Sequence, residues 1–309
     1  MKGEEQSSAF ADLSEEKLRS VLEKSGYVAG DDIVTTLLLS LRLGKPLLIE
    51  GEPGSGKTEL GKVLSAGFET ALIRLQCYEG LAAESALYEW NYAKQLLSVQ
   101  ASERDVAGEE SVFSEEYLLE RPLLQALTYE GDLPPVLLID EIDRADSEFE
   151  ALLLEILSDF QVSIPEYGTV RAQQPPIVII TSNRSRGLSD ALKRRCVYLY
   201  IGPPDFEKER EIVQRKVPEL SASLSEEIVA AVQRLRKEPL LKQPGVSESL
   251  DLSRAVAMLR ENDESSLTDI DIQHALGTVL KEGEDIERLD DDLMGELLTA
   301  AEHIESPAK

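Results

Sequence analysis

"GEPGSGKTEL" occupies residues 51–60, directly behind the apolar run "PLLIE" at residues 46–50. Gly51, Gly56, Lys57 and Thr58 satisfy the spacing GxxxxGK[ST]. A glycine-rich turn between a buried strand and a helix aims backbone N–H groups at one point, where the helix dipole also favours an anion. The lysine adds a point charge, and the threonine hydroxyl is suited to Mg²⁺. The stretch therefore predicts a phosphate-binding loop and, with it, an α/β sheet. Gly51, Glu52, Pro53, Gly54, Ser55, Gly56, Lys57, Thr58 and Glu59 form the candidate nucleotide-binding segment.

Downstream, three more apolar runs carry β-branched residues: "VLLID" (136–140), "IVIITSN" (177–183) and "VYLYI" (197–201). With "LLIE" (47–50) and "ALIRLQ" (71–76) they make five strands. Short continuous apolar runs fit a parallel sheet covered on both faces. Helical patterns lie at 14–43, which runs up to Gly44, at 57–68 and in "SEFEALLLEILSDF". These alternating elements predict a three-layer α/β core over residues 30–204, after a helical segment at 1–29. Two segments interrupt the alternation. Around 88–118 an aromatic group (Tyr88, Trp90, Tyr92) precedes the polar stretch "QASERDVAGEES", and "QVSIPEYGTVRA" predicts a hairpin over 161–171. Beyond "IGPP" only helical patterns remain, so residues 205–309 are expected to form a smaller all-α domain.

The 309-residue chain is 42% hydrophobic and 29% charged, which describes a globular protein, and its net charge is −27. Such a surface repels nucleic-acid phosphates and anionic lipid. It serves solubility or a salty habitat, or else it meets a partner with a basic face. Both readings stay open. The start of the chain lacks the basic flank and apolar centre of a signal peptide, and no apolar run approaches the ~18 residues of a membrane span. A cytoplasmic protein is expected. Cys77 and Cys196 are far apart and read as separate buried thiols, and His274 and His303 have no metal-ligand spacing.

Asp140 ends the third strand, where a carboxylate can hold Mg²⁺ through water, so Thr58 and Asp140 are the candidate metal ligands. Glu141 follows it, placed to deprotonate water rather than to pass phosphate to a substrate hydroxyl. Asn183 ends "IVIITSN", where its amide can orient that water. The GTPase signature NKxD and the transporter signature SGGQ are absent. ATP hydrolysis is thus favoured over GTP hydrolysis and over kinase chemistry. Arg184, Arg186, Lys193, Arg194 and Arg195 form a basic island facing only Asp190 within residues 184–195. An arginine of this kind can stabilise a neighbouring subunit's transferred phosphate.

In this order, "GEPGSGKT", "LLIDEID", "IITSN" and "ALKRRC" resemble the Walker A, Walker B, sensor-1 and arginine-finger segments of AAA+ ATPases. The last places the finger on Arg195, with Arg194 second. "DEIDRADSEFEALLLEILSDFQVSIPEYGTVRA" is similar to the MoxR family. "LIRLQCYEGL", "LYEWNY", "RPLLQAL" and "LKRRC" are similar to its branch associated with maturation of molybdenum-containing carbon monoxide dehydrogenase. The resemblance covers about residues 28–260. It implies an AAA+ core with an all-α lid, ATP and Mg²⁺ as ligands, and a homo-oligomeric, hexameric ring. It also implies a chaperone role on a metalloenzyme client and a von Willebrand factor A-type partner, with the hairpin and the insertion lining or crowning the pore. One departure stands out. Where related proteins often carry a sensor-2 arginine, "PGVSESLDLSRAVAML" has Ser249 and Asp251, with Arg254 one turn later. Either Arg254 reaches the γ-phosphate or this branch lacks the contact. The rival functions are a nucleic-acid motor or loader, which the charge disfavours, and a nucleotide-binding assembly platform, which the Asp140–Glu141 pair disfavours.

Overall fold

A computed structural model of the chain describes residues 9–102, 113–260 and 265–302. The chain divides into two compact units. Among the described residues, the first holds those up to 25, within 29–50 and within 57–200, and the second holds 26–28, the loop 51–56 and those from 201 onward.

In the first unit, Ser14 caps helix α1 (Glu15–Lys24) by accepting from the Lys17 amide. Helix α2 (Asp31–Leu43) starts on two acids and stops at Gly44, whose φ of 60° is a left-handed cap. Strand β1 (Leu47–Gly51) follows, then helix α3 (Lys57–Gly67) and strand β2 (Leu72–Gln76). Next come helix α4 (Ala83–Leu87), strand β3 (Tyr88–Trp90), helix α5 (Tyr92–Ser102), strand β4 (Leu118–Glu120) and helix α6 (Pro122–Thr128). Strand β5 (Val136–Asp140) leads through a short turn to helix α7 (Ser147–Asp159), capped by Asp146. Strands β6 (Gln161–Ile164) and β7 (Gly168–Arg171), strand β8 (Ile177–Ser182), helix α8 (Asp190–Arg195) and strand β9 (Val197–Ile201) complete the series.

The main sheet runs β2-β5-β8-β1-β9. Every residue of β1, β5 and β8 is buried, as expected of central parallel strands covered on both faces. At the edges, β2 and β9 carry both buried and exposed positions, because one face is less completely covered. Strand β8 stands between β1 and β5, pairing Leu47 with Ile179 on one side and Val136 with Ile177 on the other. The predicted hairpin is present, with β6 and β7 antiparallel from Gln161↔Arg171 to Ile164↔Gly168.

The described part of the insertion carries regular elements. Strands β3 and β4 pair antiparallel, Tyr88 opposite Glu120 and Trp90 opposite Leu118, closing the segment at its base. Trp90 is buried, edge-on to Phe113 at 5.3 Å, whereas Tyr92 is 64% exposed. Of "QASERDVAGEES", residues 103–111 lie outside the described residues.

The second unit is helical: α9 (Phe206–Lys216), α10 (Ala222–Leu235), α11 (Val246–Arg260), α12 (Asp269–Val279), α13 (Gly283–Glu287) and α14 (Asp291–Glu302). Its core joins Leu224, Ile228, Val232 and Leu235 of α10 to Leu252 and Val256 of α11, with Ile272, Ala275, Met294 and Leu297 from α12 and α14. The α10 positions recur every three or four residues, one face of a helix. Burying each such aliphatic side chain stabilises by about 1.5–3 kcal/mol.

Candidate functional site

Between β1 and α3 the backbone turns through Gly54 (φ 78°) and Gly56 (φ 86°), a region that penalises any side chain. At Gly51 the constraint is close approach, since a Cβ there would stand 2.2 Å from the Ile201 carbonyl oxygen. Lys57 opens α3, directly after the loop in the chain, and is buried. Glu59, one residue past Thr58, pairs with Lys62 at 3.6 Å. Helix α3 lies close on β5: a Cβ on Gly61 would meet the Leu138 side chain at 3.3 Å. That packing sets Thr58 over the end of β5.

Thr58 Oγ1 donates to Asp140 Oδ1 at 2.9 Å, linking residues 82 apart in sequence. A hydroxyl and a carboxylate held this close form an oxygen donor pair of the kind that would hold Mg²⁺, directly or through water. Asp140 is nearly inaccessible and takes two further donors: Thr181 Oγ1 at 2.6 Å on Oδ1 and Arg74 NH2 at 2.6 Å on Oδ2. Glu141 adopts a left-handed backbone (φ 56°, ψ 50°), and its amide donates to Thr181 Oγ1 at 2.9 Å. Its carboxylate is partly exposed and receives Arg144 NH1 at 3.2 Å.

Asn183 follows β8, between the strands carrying the loop and the acids, and its own amide N–H donates to Asp143 Oδ1 at 3.0 Å. Asp143 is buried. Burial alone would raise its pKa, but the Ser185 hydroxyl, the Ser185 amide and the Asn183 amide outweigh that and hold it below the usual carboxylate range. Asp140, Glu141 and Asp143 concentrate negative charge at the strand ends. Their field adds to burial in pushing the Cys77 thiol up to about 12. Cys196 is pushed to about 12 by burial, and both cysteines are free thiols.

The basic island is less bare than its sequence suggests. Arg186 pairs with the buried Glu150 at 2.6 Å, while Lys193 and Arg184 approach the buried Glu50 at 3.9 and 4.0 Å. Glu50 also accepts from the Tyr198 hydroxyl at 2.9 Å. Arg194 and Arg195 are exposed at the end of α8, and Arg195 Nε donates to Ser158 Oγ at 3.1 Å.

In the second unit, Arg254 is half exposed on α11 and pairs with Asp251 at 3.3 Å. Ser249 is wholly buried, and its hydroxyl donates to Glu209. Glu209 is itself fully buried and meets Arg236 with both oxygens, at 2.6 and 2.7 Å, as well as Gln233 at 3.0 Å. Arg236, with Glu52, Pro53, Ser55, Pro203 and Pro244, lines a cavity of about 170 Å³. Because both Glu209 oxygens are committed to the Arg236 guanidinium, that cation reaches the cavity already neutralised.

The sequence reading missed Arg74, Thr181, Asp143 and Ser185. Asp143 had a signal, a third acid in "DEID", and Thr181 lay inside "IITSN". Arg74 carried none beyond being a cation on a strand.

Residues 46–196 match the family model described as AAA domain (dynein-related subfamily). Among similar proteins, the uncharacterized protein SH1500 of Staphylococcus haemolyticus is 26% identical over 77% of this chain and 86% of its own length. The uncharacterized protein YojN of Bacillus subtilis is 31% identical over 59% of this chain, which spans 56% of YojN. The gas vesicle ATPase GvpN of Haloferax mediterranei is 24% identical over 82% of this chain and 74% of GvpN. Among the described residues no helix is long and apolar enough to cross a membrane. Residues 46–196, just under half of the 309-residue chain, are thus similar to an AAA domain of the dynein-related subfamily, and the chain is an ATP hydrolase with an AAA+ fold.

Proposed function

We propose that this chain is a Mg²⁺-ATP-dependent remodelling ATPase of MoxR type, assisting metal-cofactor maturation of a metalloenzyme such as a molybdenum-containing carbon monoxide dehydrogenase. The observation that carries the hydrolytic part is the 2.9 Å approach of Thr58 to Asp140, with Glu141 next in the chain. Bound Mg²⁺-ATP supplies the phosphoanhydride bond to be cleaved, its charge partly neutralised by the ion. The loop amides and the Lys57 ammonium bind the phosphates, and the Thr58 hydroxyl and the Asp140 carboxylate hold the ion. Glu141 takes the proton of the attacking water on its carboxylate, which must first leave Arg144. Asn183 orients that water, its backbone held by Asp143. Arg195, with Arg194 second, reaches the site of an adjacent protomer in a hexameric ring and stabilises the transferred phosphoryl group. Arg254 serves as the lid-domain cation for the γ-phosphate.

The client half of the reading is supported by the β6–β7 hairpin directly after α7 and by the ribbon-based insertion, two segments suited to touching a protein. A von Willebrand factor A-type protein would be the partner. The fully buried Asp140 and the acid beside it favour turnover over a passive platform.

Phosphate release tests the core of this. Wild type should hydrolyse ATP, and Glu141→Gln should bind it without turnover. Rapid release by Glu141→Gln would remove Glu141 from its role. Arg195→Ala should be inactive alone and regain activity on mixing with Lys57→Ala. Confirmed co-assembly with no recovery would sink the in-trans assignment. Retention of a molybdenum hydroxylase subunit by the Glu141→Gln form, and salt-insensitive failure to bind DNA, would separate the client reading from a nucleic-acid motor.

A further inference from the structure

Asp140 is closed by a cation of its own chain. Strand β2 pairs with β5 so that Gln76 stands beside Asp140 and Arg74 beside Leu138. Residues two apart share a face of a strand, so Arg74 and Gln76 point the same way, toward the end of β5. From there the Arg74 guanidinium reaches the neighbouring strand and donates through NH2 to Asp140 Oδ2 at 2.6 Å. The other carboxylate oxygen already accepts from Thr58 and Thr181.

The two ends of this ion pair differ in freedom. Asp140's side chain is 4% exposed, whereas Arg74's is 48% exposed on an edge strand. The same NH2 also donates to Gln76 Oε1 at 2.6 Å, so a second acceptor lies next to the first. Leaving Asp140 would therefore neither bury the guanidinium charge nor strip it of hydrogen bonds.

We propose that Arg74 is a place-holding cation: it neutralises Asp140 while the metal position is empty and moves onto Gln76 and into water when Mg²⁺-nucleotide binds. This rests on the reading of Asp140 as a metal ligand. A guanidinium and a divalent ion repel each other when both face one carboxylate, so ion binding carries the cost of displacing Arg74. Arg74 is thus a gating residue that sets metal affinity and has no contact with the reacting phosphate. Its effect is opposite in sign to that of a residue orienting Asp140 for the metal, and that sign is measurable.

The experiment is a Mn²⁺ titration of the full chain with saturating ADP, read by electron paramagnetic resonance of free Mn²⁺. Arg74→Gln should tighten the nucleotide-dependent Mn²⁺ Kd by about three- to tenfold, as expected for release of a half-exposed ion pair. Arg74→Lys should stay near wild type. Gln76→Ala, which removes the second acceptor, should weaken binding by about two- to threefold. Weaker or unchanged Mn²⁺ binding in Arg74→Gln, with a folded protein by circular dichroism, overturns the proposal. Asp140→Asn separates the two layers: if it keeps the nucleotide-dependent Mn²⁺ site, the ligand reading fails. If it loses the site while Arg74→Gln does not tighten it, only the gate fails.

Discussion

Of the buried carboxylates that face arginines, Glu209 and Asp140 are built to opposite ends. Glu209 in the second unit is fully inaccessible, and Arg236, only 15% exposed, grips both of its oxygens. Ser249 and Gln233 add donors, so the charge is enclosed and satisfied. Asp140 in the first unit is as deeply placed, but its arginine makes one contact through a single nitrogen and stays half in water. Burial of the acid alone therefore does not distinguish a structural ion pair from a functional one. What distinguishes them is whether the cation has somewhere else to go.

The contrast breaks if the two acids respond alike to mutation. Asp140→Asn should cut ATP hydrolysis by at least about 100-fold through lost charge stabilisation at the phosphate. Its unfolding free energy in urea should move by less than about 1 kcal/mol, because Arg74 is already hydrated. Glu209→Ala should do the reverse and destabilise by about 3–5 kcal/mol, leaving Arg236 buried and unpaired. Adding Arg236→Met to that variant should restore much of the loss. A Glu209→Ala protein that melts like wild type would erase the distinction.

A third pair sharpens the comparison by pH. Burial would raise the Asp271 pKa, but Arg260 and the hydroxyl and amide of Thr268 outweigh it and lower it from 3.8 to about 2. A carboxylate lowered on folding contributes stability that is complete above about pH 4 and is lost as pH falls through about 2. The contribution is about 2 kcal/mol, and Asp271→Asn should remove it and flatten the acid limb of the second unit's unfolding profile. The smallest effect belongs to Arg254→Ala. Its exposed pair with Asp251 predicts a stability change under about 0.5 kcal/mol, so any sizeable fall in hydrolysis would speak for contact with nucleotide.

How far the sequence could be read follows from where its partners lie. The five strands were legible because each is a short apolar run, and the loop because its glycines, lysine and threonine are contiguous. The acid tip was legible by position alone. Its supports were not: Arg74 reaches Asp140 across 66 residues, and Asn183 reaches Asp143 across 40. No local pattern encodes such meetings, which arise from strand order and register. Three members of the basic island, Arg184, Arg186 and Lys193, have acids that its sequence window did not show, for the same reason. Its neutralising acids, Glu50 and Glu150, sit on β1 and α7, far outside the window in which it was counted. Ser249 looked like a missing arginine in the sequence. In the structure it is a buried donor to Glu209, so that position is structural. The insertion was read as polar and aromatic, yet its three-pair ribbon could be known only from β3 finding β4.

The left-handed backbone at Glu141 has a consequence for anyone hardening this protein. A side chain in that conformation costs about 1–2 kcal/mol that glycine would not incur. Screening variants for heat resistance alone would therefore reward glycine at 141, and, with Glu141 as the proposed base, the winner would be a tougher protein with lost ATP turnover.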